Sequence, residues 1–329
     1  MKKLIILLLF IAFNYSQGQW QQCGGPYGGQ IDCIAANGND LFIGTWGGGI
    51  FHSNNNGESW KPVNNGLTSL KIQCLVISGD KIFAGTGDKV FLSTDNGNTW
   101  IKKSDGITEK WIVSLVVSDN YIFAASGKGV FVSSDYGNNW AEKNEGLKDV
   151  YNLRDIVLSE NNLFIGDKTK GVYLSNDNGN SWIEKNNGLT NKSVNSLAIS
   201  GNTIFAGTDA GIFRSKDKGN NWAKLSNDLP AEQYISLVIN GNNIFAGTPY
   251  SGVYNSTDNG NTWTEKNNGL DNKYIRSLKI YGNNVFAGTV QGGGFYISTN
   301  NGNSWTEKNN GLNNNWIESI AIKIGRAHV

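Results

Sequence analysis

The chain is poor in the residues from which most catalytic and metal sites are built. Among its 329 residues only two are histidines, His52 and His328, and only three are cysteines, Cys23, Cys33 and Cys74. No Cys/His or carboxylate cluster has the spacing of metal ligands, and no glycine-rich loop precedes a helix to cradle a phosphate. The sequence therefore predicts no catalytic residue, no metal site and no cofactor.

Charge is scarce and balanced. The chain has 28 Lys and Arg against 27 Asp and Glu, which leaves a formal net charge of +1. A nearly neutral chain has no broad electrostatic attraction for nucleic acid or for an anionic membrane. We therefore expect neither nucleic-acid binding nor membrane insertion, and we expect a monomer.

Proline is also scarce, with 4 residues, whereas glycine is abundant, with 42. Glycine and asparagine both weaken the interior of helices, so a chain this rich in them is not expected to contain long helices.

One long apolar run lies at the N-terminus. Lys2 and Lys3 precede ten apolar residues, and Ser16-Gln17-Gly18 places small residues at positions −3 and −1 of a cleavage site. This pattern predicts a secretory signal peptide over residues 1–18, which is too short to span a membrane. The mature chain is then exported to the periplasm, the cell surface or the extracellular space.

An octapeptide recurs seven times. STDNGNTW occurs at 93–100 and letter for letter at 256–263, and successive copies begin 40 to 42 residues apart. The other copies are SNNNGESW (53–60), SSDYGNNW (133–140), SNDNGNSW (175–182), SKDKGNNW (215–222) and STNNGNSW (298–305). Each period also contains short β-rich segments such as IFAGT (82–86) and VNSLAIS (194–200). Four short strands in about forty residues are the signature of one blade of a β-propeller.

Three positions of the octapeptide have a structural interpretation. The Asp can accept backbone N–H groups two residues on, the Gly can adopt a positive φ, and the Trp can bury a large ring between neighbouring blades. These residues are Asp95, Gly97, Trp100, Asp135, Gly137, Trp140, Asp177, Gly179, Trp182, Asp217, Gly219, Trp222, Asp258, Gly260 and Trp263. In two copies Asn55 and Asn300 replace the Asp. We interpret the repetition as architectural, since each copy would close one blade.

The octapeptide resembles the Asp-box (BNR-like) motif Ser-x-Asp-x-Gly-x-x-Trp. In its families this motif forms the turn between the third and fourth strands of a propeller blade. The families include sialidases, xyloglucanases, sortilin-type receptors and photosystem II stability/assembly-factor-like proteins. This chain looks most like the last group or like a generic exported propeller. The resemblance implies an all-β β-propeller over residues 19–323, with seven complete four-stranded blades and a partial eighth.

Both ends of the repeat region carry fragments. Trp20 falls in step with the octapeptide tryptophans, which predicts a lone fourth strand that closes the ring against strands from the C-terminus. WIESIAI (316–322) begins an eighth unit, and residues 324–329, IGRAHV, resemble a translated sequencing adapter. We therefore expect a non-native tail and an apparently truncated eighth blade.

Two sets of loops vary between the repeats. They lie just before the first strands and between the second and third strands, for example TWGGG (45–49) and TPYSG (248–252). In propellers both sets surround the same mouth of the central channel, where aromatic side chains can stack on sugars or grip a peptide. The candidate ligand-binding residues are Trp46, Trp111, Tyr151, Arg154, Tyr234, Tyr250, Tyr274, Arg276 and Trp316. In the alternative interpretation these aromatic residues only cover blade edges.

The resemblance raises glycoside hydrolysis as an alternative function. It implies for a sialidase an arginine triad, a Tyr nucleophile with a Glu partner and an Asp acid/base, but before residue 324 the chain has only Arg154, Arg214 and Arg276. It implies for a xyloglucanase two carboxylates across a cleft between paired propellers. The first-strand carboxylates here are Asp32, Asp155 and Glu318, in a single ring. We therefore expect a non-catalytic binding scaffold whose partner is an unidentified protein or glycan.

The remaining chemically versatile side chains have structural interpretations. Cys33 and Cys74 occupy equivalent places on the first strands of adjacent blades, where other repeats have serines. We interpret both as small buried residues, with a disulfide between them as the alternative. His52, on a third strand, is expected at the surface or in packing.

Overall fold

The described chain consists of β-strands and turns. The computed structural model describes residues 30–37, 40–225, 229–230, 233–234, 236–290, 293–312 and 316–317. These residues form 29 strands in seven sheets, each of which contains four consecutive antiparallel strands. The predicted all-β propeller with seven four-stranded blades is confirmed. The predicted signal peptide (1–18), Trp20, Glu318 and the tail (324–329) lie outside the described residues.

The strands follow the predicted order in every blade. Blade 1 contains β1 (Gln30–Asn37), β2 (Asp40–Trp46), β3 (Gly49–Ser53) and β4 (Lys61–Pro62). Blade 2 contains β5 (Ile72–Ser78), β6 (Lys81–Thr86), β7 (Val90–Ser93) and β8 (Ile101–Lys102), and blade 3 contains β9 (Ile112–Ser118), β10 (Tyr121–Ser126), β11 (Gly129–Ser133) and β12 (Ala141–Glu142). Blade 4 contains β13 (Leu153–Ser159), β14 (Asn162–Asp167), β15 (Gly171–Ser175) and β16 (Ile183–Glu184). Blade 5 contains β17 (Val194–Ser200), β18 (Thr203–Thr208), β19 (Gly211–Ser215) and β20 (Ala223–Lys224). Blade 6 contains β21 (Ser236–Asn240), β22 (Asn243–Gly247), β23 (Val253–Ser256) and β24 (Thr264–Glu265). Blade 7 contains β25 (Ile275–Tyr281), β26 (Asn284–Thr289), β27 (Phe295–Ser298) and β28 (Thr306–Glu307), and β29 (Trp316–Ile317) follows it.

The second strand of each blade is buried on both faces. In β6 every residue from Ile82 to Thr86 is buried, and the equivalent residues of the other second strands repeat this pattern. These strands lie in the middle of their sheets, with a neighbouring blade against each face. Their sequences are therefore continuous runs of apolar and small residues, such as IFAGT. They lack the alternation of apolar and polar residues that is typical of a strand with one face in water.

The blades are joined by seven hydrophobic cores, one at each junction, and an octapeptide tryptophan lies in every core. All seven tryptophans expose 8% or less of their surface. The backbone N–H of Trp100 donates to the Asn65 carbonyl (2.9 Å) and its Nε1 donates to the Val63 carbonyl (2.8 Å), both in the preceding blade. The same pair of bonds recurs at Trp60, Trp140, Trp182, Trp222 and Trp305. All seven indoles thus fill a junction, and these six are also hydrogen-bonded across it. The Nε1 of Trp263 instead donates to the Gly260 carbonyl of its own turn at 3.1 Å.

A glycine makes this close approach possible at six of the seven junctions, namely Gly66, Gly106, Gly146, Gly188, Gly269 and Gly311. A Cβ on Gly66 would lie 2.2 Å from the carbonyl oxygen of Trp100, and Gly66 has a φ of +93°. The glycine of these EKNNGL-like runs is therefore part of the junction, because glycine combines that conformation with that proximity. The run after blade 5 has Asp228 at this position.

The octapeptide turn differs in one detail from the sequence-based expectation. The Asp95 carboxylate accepts from the N–H of Thr99, four residues on, at 2.9 Å, and from the Ser93 hydroxyl at 2.8 Å. It was expected to accept a backbone N–H two residues on. The turn is wider than an Asx turn because Asn96 and Gly97 are both left-handed, with φ of 56° and 82°. The positive φ predicted for Gly97 is confirmed.

A polar side-chain bond also crosses most junctions. A Lys after the fourth strand donates to an octapeptide Asn of the next blade in four pairs, Lys103–Asn138, Lys143–Asn180, Lys185–Asn220 and Lys266–Asn303. In blade 5 the hydrophobic Leu225 occupies the Lys position, and Arg214 instead donates to Asn261 at 3.1 Å. At the closing junction the pair is ionic, between Lys308 and Glu58 at 2.5 Å.

The ring closes in the same way as its other junctions. Trp60 of blade 1 donates to the carbonyls of Lys308 and Asn310 in blade 7 and packs edge-on against Phe295, with ring centroids 5.4 Å apart. Closure among the described residues therefore needs no fourth strand from the N-terminus.

The described part of the expected eighth unit, Trp316–Ile317, does not begin a separate blade. It extends the sheet of blade 1 as a parallel partner of β1, with Trp316 opposite Gln30.

We predict that Trp140→Ala lowers the free energy of unfolding by about 3–5 kcal/mol, because it leaves a large cavity in the core between blades 2 and 3. Urea unfolding measures the change. The matched control is Trp111→Ala, which removes a half-exposed ring outside the junction cores. Equal losses for the two variants would contradict the junction role.

We also predict that Lys218→Asn stabilises the protein by about 1 kcal/mol, because Lys218 holds a φ of 57° that asparagine adopts more readily. The reciprocal control Asn178→Lys, at the equivalent position of blade 4, should lower the stability by a similar amount. Thermal and urea unfolding of both variants provide the check, and changes of the same sign would count against a conformational cause.

Candidate functional site

The first strands of the blades line a central cavity of about 690 Å³. The second residue of these strands differs between blades, and in blades 2, 4, 5 and 7 it is Gln73, Arg154, Asn195 and Arg276. The strands are antiparallel, so the loops before the first strands and between the second and third strands meet at one mouth of this cavity. The octapeptide turns lie at the opposite end of the blades, and none of their residues lines the cavity.

A ring of short polar side chains links neighbouring first strands. The N–H of Leu197 donates to Asp155 Oδ2 (2.9 Å), that of Leu237 to Ser196 Oγ (3.1 Å), and that of Leu278 to Ser236 Oγ (2.9 Å). The strands β17, β21 and β25 are the inner edges of their sheets, where backbone donors have no strand partner. In these three blades a side chain of the preceding blade satisfies one such donor, which links neighbouring first strands around the channel.

Cys74 belongs to this ring. It is a free, buried thiol whose Sγ lies 3.5 Å from the Ile112 carbonyl of the next blade. Burial raises the pKa of the Cys74 thiol, so the thiol remains protonated. The interpretation of Cys74 as a small buried residue is confirmed.

Asp155 is the acidic member of the ring. Its carboxylate accepts from the N–H groups of Leu197 and Ile156 (both 2.9 Å) and from the Ser114 hydroxyl (3.0 Å). Burial raises the pKa of Asp155 to about 6, although these hydrogen bonds and the charge of Lys279 oppose the increase. The carboxyl group therefore titrates near neutrality while it is held on three sides.

Two arginines face the cavity from blades 4 and 7. Arg154 is exposed and Arg276 is half-buried. Burial, and then the nearby positive charge of Arg154, lower the pKa of Arg276 to about 10. The third arginine, Arg214, lies on β19 and bonds to the next octapeptide turn, away from this cavity. The described structure therefore does not bring the three arginines together as a triad.

A polar network covers the mouth between blades 4 and 6. Lys168 Nζ donates to Asn195 Oδ1 and Asp209 Oδ1, both at 2.6 Å, and Ser193 Oγ donates to Asp209 Oδ2 at 2.6 Å. Gln233 Nε2 donates to Asn195 Oδ1 at 3.3 Å. Lys168 lies in DKTKG (167–171), another of the variable loops between second and third strands. Lys168 itself could not be identified from the sequence, because its partners come from other segments of the chain.

Trp46 and Trp111 form a stacked pair at the same mouth. Their ring centroids are 5.1 Å apart with an interplanar angle of 16°. Lys71 Nζ lies 5.0 Å from the Trp46 ring and 5.5 Å from the Trp111 ring. Trp111 is 39% exposed and has a φ of 60°, which is rare for a bulky residue. A side chain on Gly87 would contact the Trp111 ring at 3.2 Å, so glycine there leaves space for it.

The predicted tyrosines lie in different environments. Tyr250 is 75% exposed and its ring centroid is 6.2 Å from that of the half-buried Tyr274. Tyr151 is 68% exposed. These three side chains add aromatic surface to the mouth.

Tyr234 must be removed from the predicted set. It is completely buried, and its hydroxyl donates to the Pro230 carbonyl at 2.8 Å. In the register of the blades it occupies the place of Ile275 and Val194 in the core, and Gln233 takes the place of Tyr274. Trp316 is described only through the backbone of β29.

His52 packs against and contacts side chains of its own blade. Its ring stacks on Phe42 with centroids 4.5 Å apart, and its Nε2 lies 2.7 Å from Asp40 Oδ1. Within the described ranges, no group of three or more His, Cys, Asp or Glu residues could hold a metal ion. The same residues include no helix that is long and apolar enough to cross a membrane.

The fold and the channel site define a seven-bladed β-propeller. The chain belongs to the family of the DUF6242 beta propeller domain, whose model matches residues 100–269, more than half of the chain. No curated protein matches it.

Several solved structures are similar. The GH74 xyloglucanase from Xanthomonas campestris has a TM-score of 0.73 and 15% identity, over 88% of this chain and 55% of the enzyme. The extracellular domain of BT4673 from B. thetaiotaomicron has a TM-score of 0.68 and 15% identity, over 80% of this chain and 38% of that one. YCF48 from Cyanidioschyzon merolae has a TM-score of 0.65 and 13% identity, over 80% and 93%. YCF48 bound to D1 peptide is similar at a TM-score of 0.65 and 14% identity, over 80% and 91%.

These likenesses show the fold alone, because all the identities are below 20%. The chain spans about half the length of the xyloglucanase and less than half of the BT4673 chain. Enzymes and non-enzymes both occur among these neighbours, so the fold leaves the activity undecided.

We predict a distinctive pH dependence for Asp155→Asn. The native pKa of about 6 lies above the ordinary value of 3.8, so the native state binds more protons than the unfolded chain between these values. The stabilising contribution of Asp155 is then present below about pH 4 and is lost as the pH rises through 6. Relative to Asp155→Asn, the wild type should lose up to about 3 kcal/mol of unfolding free energy between pH 4 and pH 8.

Urea unfolding across this pH range measures the effect. The control is Asp95→Asn, because asparagine occurs naturally at this position in two octapeptides. Hydrogen bonds from Thr99 lower the pKa of Asp95, so its contribution should be constant above pH 5 and decrease only in acid. Parallel stability curves for the wild type and Asp155→Asn would contradict the assignment.

Proposed function

We propose that this protein is an exported, non-catalytic Asp-box propeller that binds a protein or a glycan at the mouth of its channel. The observation that carries this proposal is the distribution of exposed aromatic side chains. Trp111, Tyr151 and Tyr250 are exposed around one mouth, and the Trp46–Trp111 pair is held there at the cost of an unfavourable backbone conformation. Exposed aromatic clusters of this kind are typical of binding sites.

The other end of the blades supports the same assignment. Its octapeptide side chains are engaged in turns and junctions, so the repeated sequence is accounted for by structure. The variable residues lie at the channel mouth, where a propeller can change its ligand without disturbing its cores. Export is supported by the signal-peptide pattern at residues 1–18 and by the extracellular domain among the structural neighbours.

Glycoside hydrolysis remains the second candidate, favoured by the likeness to a xyloglucanase and by the raised pKa of Asp155. Two features weigh against it. The Asp155 carboxylate is occupied by three hydrogen-bond donors that join blades 3, 4 and 5. Hydrolysis also needs a second carboxylate across the substrate, whereas the other described cavity residues include no Asp or Glu.

The test is binding of the full chain to glycan and peptide arrays, followed by titration of each hit. Trp111→Ala should weaken binding about fivefold or more, as expected for a central aromatic contact. Tyr121→Ala is the matched control, because Tyr121 is also 39% exposed but begins a second strand at the opposite end. Binding that Tyr121→Ala weakens and Trp111→Ala does not would locate the ligand elsewhere.

The hydrolase alternative is tested on the same hits. Incubation with each bound glycan, followed by analysis of reducing ends, should show no turnover. Turnover that Asp155→Asn abolishes, in a variant that still folds and binds, would replace the scaffold proposal with the enzyme.

A further inference from the structure

Lys71 and the Trp46–Trp111 pair form one cluster at the mouth. The Lys71 Nζ lies 5.0 Å from the Trp46 ring and 5.5 Å from the Trp111 ring, and the lysine is exposed to solvent. An ammonium group has three N–H donors and no acceptor. The cluster therefore places flat aromatic surface and hydrogen-bond donors side by side.

Backbone hydrogen bonds across three blades hold this cluster in place. Trp46, at the end of β2, pairs with Lys71, just before β5, in an isolated antiparallel bridge. The Lys71 carbonyl accepts from the Gly87 N–H at 2.8 Å, and the Gly87 carbonyl accepts from the Trp111 N–H at 3.4 Å. The backbones that carry both rings and the lysine are thus positioned before a ligand binds, which lowers the entropic cost of binding.

A pyranose ring matches the chemistry of the cluster. Such a ring can present C–H groups on one face, which stack on an indole, while its hydroxyl groups lie around the edge. A neighbouring ammonium group can donate to one of these hydroxyl groups. The other common ligand that stacks on tryptophan is the ring of proline in a proline-rich peptide.

The rim beyond the cluster favours the sugar over that peptide. Tyr151 precedes blade 4 and is 68% exposed, and Lys168, Asn195 and Asp209 follow on blades 4 and 5. Lys168 Nζ and Asn195 Nδ2 donate to Asp209 Oδ1 at 2.6 Å and 2.9 Å. This network contains both donors and acceptors, as hydroxyl groups do, whereas a proline residue offers only its carbonyl oxygen.

The channel wall also offers little to an extended peptide. A peptide strand adds to a sheet by pairing with free backbone N–H and C=O groups at its edge. In blades 5, 6 and 7 the N–H groups of Leu197, Leu237 and Leu278 already donate to side chains of the preceding blade. A ligand at these blades therefore meets mainly side chains.

We propose that Trp46, Trp111 and Lys71 form a sugar-binding subsite, in which a pyranose ring stacks on the exposed surface of Trp111 and Lys71 donates to one of its hydroxyl groups. The rest of the oligosaccharide follows the rim past Tyr151 towards Lys168. This inference rests on the proposed function and narrows its ligand from a protein or a glycan to a glycan. It requires no charge on the ligand.

The test titrates the full chain calorimetrically with uncharged oligosaccharides from cellulose, xylan, mannan and laminarin. Oligoproline is the peptide probe, because it also stacks on tryptophan. Saturation-transfer NMR from the aromatic protons of the protein then shows which protons of a bound ligand lie on a ring. The variants are Trp111→Ala, Lys71→Met and Lys71→Gln.

At least one oligosaccharide should bind, and saturation should pass mainly to the C–H protons on one face of a sugar ring. Trp111→Ala should remove this transfer and weaken binding about fivefold or more. Lys71→Met should weaken binding roughly threefold to tenfold, as the loss of one hydrogen bond implies. Lys71→Gln keeps N–H donors without the charge, so it should recover most of this loss.

Two glycines test the geometry without a change in any contacting side chain. A Cβ on Gly87 would lie 3.2 Å from the Trp111 ring, whereas a Cβ on Gly127, at the equivalent position of blade 3, would meet nothing closer than 3.9 Å. Gly87→Ala should therefore displace the ring and weaken sugar binding roughly twofold or more. Gly127→Ala should leave the affinity unchanged, and equal affinities of the two variants would contradict the subsite.

Three further results would overturn the inference: no binding of any of the oligosaccharides, tighter binding of oligoproline than of every sugar, or full affinity in Lys71→Met. The proposed function fails separately. If array ligands are peptides and Trp111→Ala weakens their binding, the scaffold proposal survives while the sugar subsite is lost. If no ligand depends on Trp111, both fail.

Discussion

The structure depends on a buried indole at each contact between blades. A four-stranded sheet with two apolar faces is unstable in water unless another sheet covers each face, and a closed ring provides this cover for every blade. The octapeptide tryptophan fills the contact, and in six of the seven blades it donates two hydrogen bonds to the blade before it. The closing junction at Trp60 uses the same bonds as the internal ones. It has one addition, because β29, which follows blade 7, pairs with β1 of blade 1.

This construction separates structure from function along each blade. At one end, the octapeptide and the NNGL-like run are confined by close packing, since a Cβ on Gly66 or an exposed position for Trp100 would open a junction. At the other end, the loops extend from the sheets beyond the packed cores of the junctions. Here Trp111 adopts a strained backbone and two arginines face each other across the channel. Unfavourable features of this kind persist where the surrounding structure imposes them, and they cluster at sites of function.

Much of the fold could be predicted because repetition supplies seven independent observations of the same unit. The blade count, strand order and burial of the tryptophans follow from that spacing. Details that depend on a single position could not be predicted in this way. Tyr234 looks like Tyr274 in the sequence, but a one-residue shift in register moves it from the mouth to the core. The partner of Asp95 was misjudged because two successive left-handed residues widen the turn.

The candidate site was predicted less completely because its contacts join distant segments. The aromatic residues at the mouth could be identified from the loops, but the stacking of Trp46 on Trp111 and the position of Lys71 beside both rings depend on three blades. The same holds for Lys168 and Asp209. Arg214 was not among the candidate ligand-binding residues, and the structure shows it in place of a missing lysine at a junction.

The most direct test of the account is hydrogen exchange of the indole N–H groups, followed by NMR in ¹⁵N-labelled protein and assigned with single Trp→Phe variants. The account predicts that the seven octapeptide indoles exchange together and slowly, at the rate of global unfolding, whereas the Trp111 indole exchanges quickly. Rapid exchange at the octapeptide indoles, or protection confined to a few of them, would show that the blades are not joined in this way.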